Sequence, residues 1–108
     1  MSRFAFDTAQ QGRVVLVTLR GELDVTAAGE LEPALDCLLD GGCDVVALDL
    51  RALDFLDSSG LRLIVLARNR LEEEQRRLVL VRGPQAVQRV FEITRMTERL
   101  EFVDDVVI

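Results

Sequence analysis

The side chains best suited to chemistry are two adjacent hydroxyls, Ser58 and Ser59, held between Asp57 and Gly60 in the stretch "LDFLDSSGLRLIVL". Such a pair between an apolar strand-like run and an apolar helix-like run can do three things. It can cap a helix, act as a nucleophile, or receive a group from another enzyme. A serine nucleophile needs a general base, and the ordinary ones are missing. The chain has no His and no Lys, and all 13 of its basic residues are Arg. That removes the Ser–His and Ser–Lys pairings, histidine metal sites, Schiff bases and the lysine clamp of nucleotide-binding loops. Asp57 or Ser58 can accept a hydrogen bond from an unpaired N–H of the following helix. The partial positive charge of a helix start would favour an anion there, so a phosphoryl group on Ser58 is expected to meet those donors directly. It would add about −1.5 to −2 charges beside Asp57 and near Asp54.

Other candidates are weaker. Glu22 and Asp24 in "RGELDV" could form a carboxylate pair, but a solvated turn or a helix cap explains them as well. Asp49 and Asp54 read as loop acids at a strand end. Cys37 and Cys43 lie among apolar or loop residues without metal-ligand spacing and read as reduced thiols. Arg82-Gly83-Pro84 reads as punctuation before a helix. Phe55, just before the serines, reads as core, with packing under a bound partner as the alternative. No metal or cofactor is expected.

The elements that hold these residues follow from periodicity. "RFAFDTAQ" alternates apolar and polar, as a half-buried strand does, and "QQG" supplies a turn into the β-branched run 13–21, which ends at Gly21. Leu31, Ala34, Leu35, Leu38 and Leu39 have helical spacing. Pro33 fits best in a first turn, which places that helix's start near residue 29. Residues 44–50 form an apolar run expected to be a strand buried on both faces, with "RALDF" as a short connection. A helix is expected from about Ser59 to Glu74, with Leu61, Ile64, Val65 and Leu71 near one face and a solvated "EEEQRR" end. "RLVLVRG" reads as a strand. A third helix opens at Pro84 with Val87, Val90, Phe91 and Met96 on one side. "LEFV" is a short strand, and the last five residues carry no assignment. The order β-β-α-β-α-β-α-β in 108 residues makes one α/β domain, a mostly parallel mixed sheet opened by an antiparallel hairpin.

Composition narrows the role. The net charge of −6 argues against nucleic acid, and no run approaches the ~20 apolar residues of a membrane span. A cytoplasmic protein, monomeric or weakly dimeric, is expected.

"LDFLDSSGLRLIVLARNR", after "VVALDLRA", resembles the signature of the STAS domain of bacterial anti-sigma factor antagonists, Asp-Ser-Ser/Thr-Gly-Leu at a strand-to-helix junction. "VVLVTLRGELDVTAAGELEPAL" is similar to that family's second strand, acidic turn and first helix. "VRGPQAVQRVFEITRM" is similar to its fourth strand and third helix. The resemblance spans residues 4 to 104. It implies that Ser58 is phosphorylated by an anti-sigma factor that is itself a serine kinase. The unphosphorylated form would bind that kinase and free a sigma factor, and a serine phosphatase would reset the cycle. It further implies that Asp57, Ser59, Gly60 and Leu61 lie at the contact surface, with Asp24 near it. Arg62 stands where many members carry a small residue; it either offsets a phosphate on Ser58 or contacts the partner. Arg95 stands where glycine is common, so the third helix is expected to end differently. Many members carry a further C-terminal helix. STAS domains also serve as subunits of lipid-transport ATPases and of stress-sensing assemblies, and these remain alternatives. An enzyme using Ser58 or Ser59 as nucleophile is a third, opposed by the missing base.

Overall fold

The computed structural model describes residues 3–105. Two strands, β1 (Phe4–Gln11) and β2 (Val14–Leu23), form the expected antiparallel hairpin, turning at Gly12, where φ is 59°. Then come α1 (Val25–Asp40), β3 (Val45–Leu56), α2 (Ser58–Glu73), β4 (Arg77–Val81), α3 (Gln85–Ile93), a 3-10 turn at Met96–Glu98, and β5 (Glu101–Val103). The five strands lie side by side in chain order, and every pair after the first is parallel. Three crossovers step the same way along the sheet. The right-handed rule therefore puts all three helices on one face. Alternation in β2 agrees: Val15, Val17 and Leu19 are buried beneath the helices, while Val14, Leu16 and Thr18 are half-buried on the other side.

Several boundaries differ from the sequence reading, each for a local reason. α1 starts at Val25, and Pro33 sits inside it. Asp24 decides the start: its Oδ1 accepts from Ala27 N at 2.9 Å, and its carbonyl accepts from Ala28 N at 2.8 Å. Pro33 and Gly29, the residue whose carbonyl loses a donor, are both exposed, so water can replace that bond. β2 does not end at Gly21 but bulges there. The β2–β3 register shifts between Gly21 and Glu22. Gly21 has φ 89°, and a Cβ on it would sit 1.8 Å from the Arg3 carbonyl oxygen. "RALDF" is not a connection but the second half of β3, kept paired to β2 as far as Leu56. Asp49 and Asp54 thus lie inside a strand rather than in a loop. Phe55, expected in the core, is 47% exposed.

In α2 the buried face is Leu63, Ile64, Ala67 and Leu71, rotated from the expected one so that Leu61 and Val65 are only partly covered. The "EEEQRR" end is not wholly solvated. The Arg76 side chain is 12% exposed and donates to the carbonyls of Leu39 (2.8 Å) and Cys43 (3.2 Å), closing the C-terminal end of α1. α3 stops at Ile93, and Met96 belongs to the following turn. Arg95 adopts the left-handed conformation (φ 60°, ψ 23°) that glycine usually supplies after a helix. The expectation that the helix would end differently is therefore corrected: Arg95 itself takes the backbone conformation a glycine would supply. Residues 106–108, within the stretch left unassigned above, lie outside the described residues.

Candidate functional site: a helix start whose cap is filled

β2 and β3 deliver two acidic caps side by side. Leu23 pairs with Leu56 in the sheet register, and the residue after each is an aspartate that opens a helix. Asp57 N donates to Leu23 O at 3.3 Å, tying the two junctions together. The bulge at Gly21 belongs to this construction, since it changes the strand's course just before Asp24.

At the α2 start, Asp57 is the N-cap. Its Oδ1 accepts from Ser59 N at 2.9 Å and Gly60 N at 3.2 Å, while its carbonyl accepts from Leu61 N at 3.0 Å. Ser58 is therefore the first helical residue rather than the cap, and it is exposed. This corrects the expectation that a phosphate on Ser58 would meet the helix donors directly. Those of Ser59, Gly60 and Leu61 are already taken, two of them by a negative group. Added charge at Ser58 would stand outside a filled cap, facing solvent.

Gly60 is also reassigned. Expected at a contact surface, it is buried instead: a Cβ there would lie 2.6 Å from Leu56 Cδ1 and 2.7 Å from Leu23 Cγ. It lets α2 sit down on the two strand ends. Leu61 is partly buried against the core, and Ser59 is partly buried. Arg62 is exposed one turn beyond Ser58. Asp24 is half-buried as a cap, and Glu22 pairs with Arg3 at 3.7 Å. Among the described residues no group of three or more Cys, Asp or Glu side chains is placed to hold a metal ion.

The surroundings add residues that sequence reasoning missed. Val25 is 68% exposed and Leu66 48% exposed, and with Ser59, Arg62 and Glu32 they line a groove between α1 and α2 beside Ser58. Phe55, paired with Glu22 in the register, adds exposed apolar surface one residue before Leu56. Val25 had a legible signal, because a residue just after a cap starts the helix before its buried face is established.

The other conspicuous charged group lies elsewhere in β3. Asp49, only 6% exposed, accepts from Arg51 through its N–H (3.1 Å), Nε (3.0 Å) and Nη2 (2.9 Å). The Arg51 side-chain hydrogen bonds hold the Asp49 carboxyl below its ordinary range, against the opposing effect of burial. This pairing is structural. Among the described residues no helix is long and apolar enough to cross a membrane.

Residues 5–107 match the STAS domain family. The chain belongs to that family. BtrV of Bordetella bronchiseptica, which is named as an anti-sigma factor antagonist, is 36% identical over 81 residues, covering 75% of this chain and 70% of its own. The anti-sigma-B factor antagonist of Staphylococcus aureus is 29% identical over 92 residues, 85% of each chain. Among solved structures, an anti-sigma factor antagonist from Mycobacterium paratuberculosis superposes with a TM-score of 0.87 at 22% identity, covering 95% of this chain and 87% of that one. The unphosphorylated form of the anti-sigma factor antagonist SpoIIAA gives 0.81 at 24% identity, covering 94% and 90%. The mixed sheet with its opening hairpin is thus the STAS fold.

Proposed function

We propose that this STAS protein is a cytoplasmic anti-sigma factor antagonist. It binds an anti-sigma factor with serine kinase activity through the face around Ser58, and so frees a sigma factor. Phosphorylation of Ser58 releases it, and a serine phosphatase restores it. The observation that carries the reading is the exposed hydroxyl of Ser58 at the first position of α2, beyond a cap already filled by Asp57. Such a hydroxyl can enter another protein's active site without unfolding anything. The partner would bring nucleotide, metal and base, which suits a chain with no His or Lys. A phosphate would place about −1.5 to −2 charges beside Asp57 with few helix donors left to absorb them. The charge therefore acts on the partner rather than on the fold. Asp24, Asp57, Ser59 and Leu61 would frame the contact, with Gly60 shaping it from beneath.

Incubation with the cognate kinase and ATP should put one phosphate on Ser58, located by mass spectrometry. Ser58→Ala should stay bound in a pull-down in the presence of ATP. Ser58→Asp should bind at least about tenfold more weakly, a loss of about 1.4 kcal/mol. Label on Ser59, or none at all, would refute the assignment.

A further inference from the structure

Arg62 is exposed one helical turn beyond Ser58, and its setting gives it a use. Resting on the reading that Ser58 carries the phosphate, we propose that Arg62 is the phosphate's intramolecular counter-ion, engaged only in the phosphorylated state.

Four observations lead there. First, the backbone N–H groups of Ser59, Gly60 and Leu61 are all held by Asp57, so those three donors are closed to a phosphate on Ser58. Second, Ser58 and Arg62 are spaced i and i+4 on α2, and both are exposed. Side chains on a helix lean toward its N-terminus, so the Arg62 stem points back along the turn that carries Ser58. An anion preceding a cation by four residues is also the favourable order. Third, Arg62 makes no ion pair among the described residues, whereas Arg68 and Arg70 on the same helix are engaged by Glu72 and Asp40. Fourth, the charged neighbours are mostly acids. Asp57 caps α2, Asp24 caps the adjoining α1, and Glu32 of α1 lines the groove that Arg62 also lines. A phosphate added there would have the Arg62 guanidinium one helical turn away and these carboxylates around it.

The pair would tune the switch. With Arg62 engaged, part of the new charge is neutralised and the phosphorylated chain is relieved of repulsion from Asp57. The same guanidinium is drawn to the helix start instead of lying free along the α1–α2 groove.

The test installs phosphoserine at position 58 during translation, so it requires no kinase. The phosphate is titrated by phosphorus NMR in the otherwise unchanged chain, in Arg62→Gln, in Arg62→Lys, and in Arg89→Gln as an exposed control on α3. Arg62→Gln should raise the second ionisation of the phosphate by about 0.3, a twofold change in proton affinity. Arg62→Lys should restore most of the difference, Arg89→Gln should change nothing, and about 0.5 M salt should shrink the effect. An unchanged titration in Arg62→Gln overturns the proposal. If that variant also weakens binding of the unphosphorylated chain to its partner, Arg62 is a partner contact instead. Because the phosphate is placed directly, these results stand whether or not a kinase modifies Ser58; failure of the kinase assay would sink the switch without touching the pair.

Discussion

Replacing Gly60 with alanine adds a single methyl group, and the structure says where it goes. The new Cβ would stand 2.6 Å from Leu56 Cδ1 and 2.7 Å from Leu23 Cγ. Leu23 is fully buried and Leu56 is 4% exposed, so neither can swing into solvent. The closer atom is the tip of a side chain, but Leu23 Cγ is a branch point and moves only with its whole side chain. Overpacking of this kind costs about 1–3 kcal/mol, and two contacts below 3.0 Å place it at the upper end. Alanine recovers about 0.5–1 kcal/mol of backbone entropy in a helix. The net expectation is a loss of about 2 kcal/mol, or roughly 8–16 °C in Tm for a domain of this size. Gly29 supplies the control. It lies in the middle of α1 with nothing within 4 Å of its would-be Cβ. Gly29→Ala should therefore stabilise the chain by about 0.5–1 kcal/mol. Urea unfolding of the two variants, at equal m-value, makes the comparison. The reasoning fails if Gly60→Ala is as stable as the parent, or if the two changes move stability in the same direction.

Further expectations concern the polar anchors. Asp57→Ala should cost about 1 kcal/mol in urea unfolding, because Ser59 N and Gly60 N lose their acceptor, while Asp57→Asn should keep most of that stability. Asp49 is held below the ordinary carboxyl range in the fold. Its contribution is therefore complete above about pH 4 and fades as pH drops through the lowered folded value. Asp49→Asn should lower stability at neutral pH by about 1–3 kcal/mol and flatten the acid limb of stability against pH. A variant whose acid limb matched the parent's would show that the Arg51 pairing is irrelevant. Arg76→Ala should cost about 1–3 kcal/mol and speed amide hydrogen exchange in the last turn of α1, since the Leu39 and Cys43 carbonyls lose a charged donor.

The order of elements was legible because apolar spacing switches cleanly between the two periods, from "RVVLVTLRG" to "ELEPALDCLL" and back to "DVVALDL". What escaped were places where one strong contact overrides a local rule. The preference of proline for first turns pointed to a start near residue 29, yet one carboxylate at Asp24 begins the helix earlier and leaves Pro33 on the wet side. The length of β3 was hidden because Arg51 and Asp54 look like loop residues; both are exposed side chains on a strand whose pairing continues past a bulge in its neighbour. Phe55 was misread because residue type suggests burial, whereas its position in β3 leaves it exposed. At the site, the motif disclosed the hydroxyl but not its environment. The Asp57 cap is a local contact, and the sequence offered it as one of two candidates. That Gly60 is pressed against Leu23, on a different strand and far away in the sequence, is a fact of packing that no local pattern encodes.

The sheet's directions have a practical corollary. β2, β3, β4 and β5 all run the same way and β1 runs back, so Arg3 and Asp105 both emerge at the end that carries Ser58. Reporter proteins or surface tethers joined through either would crowd the very region whose availability they are meant to monitor. The opposite pole offers the hairpin at Gly12 and the exposed pair Gly41 and Gly42, where an inserted label would leave that region open.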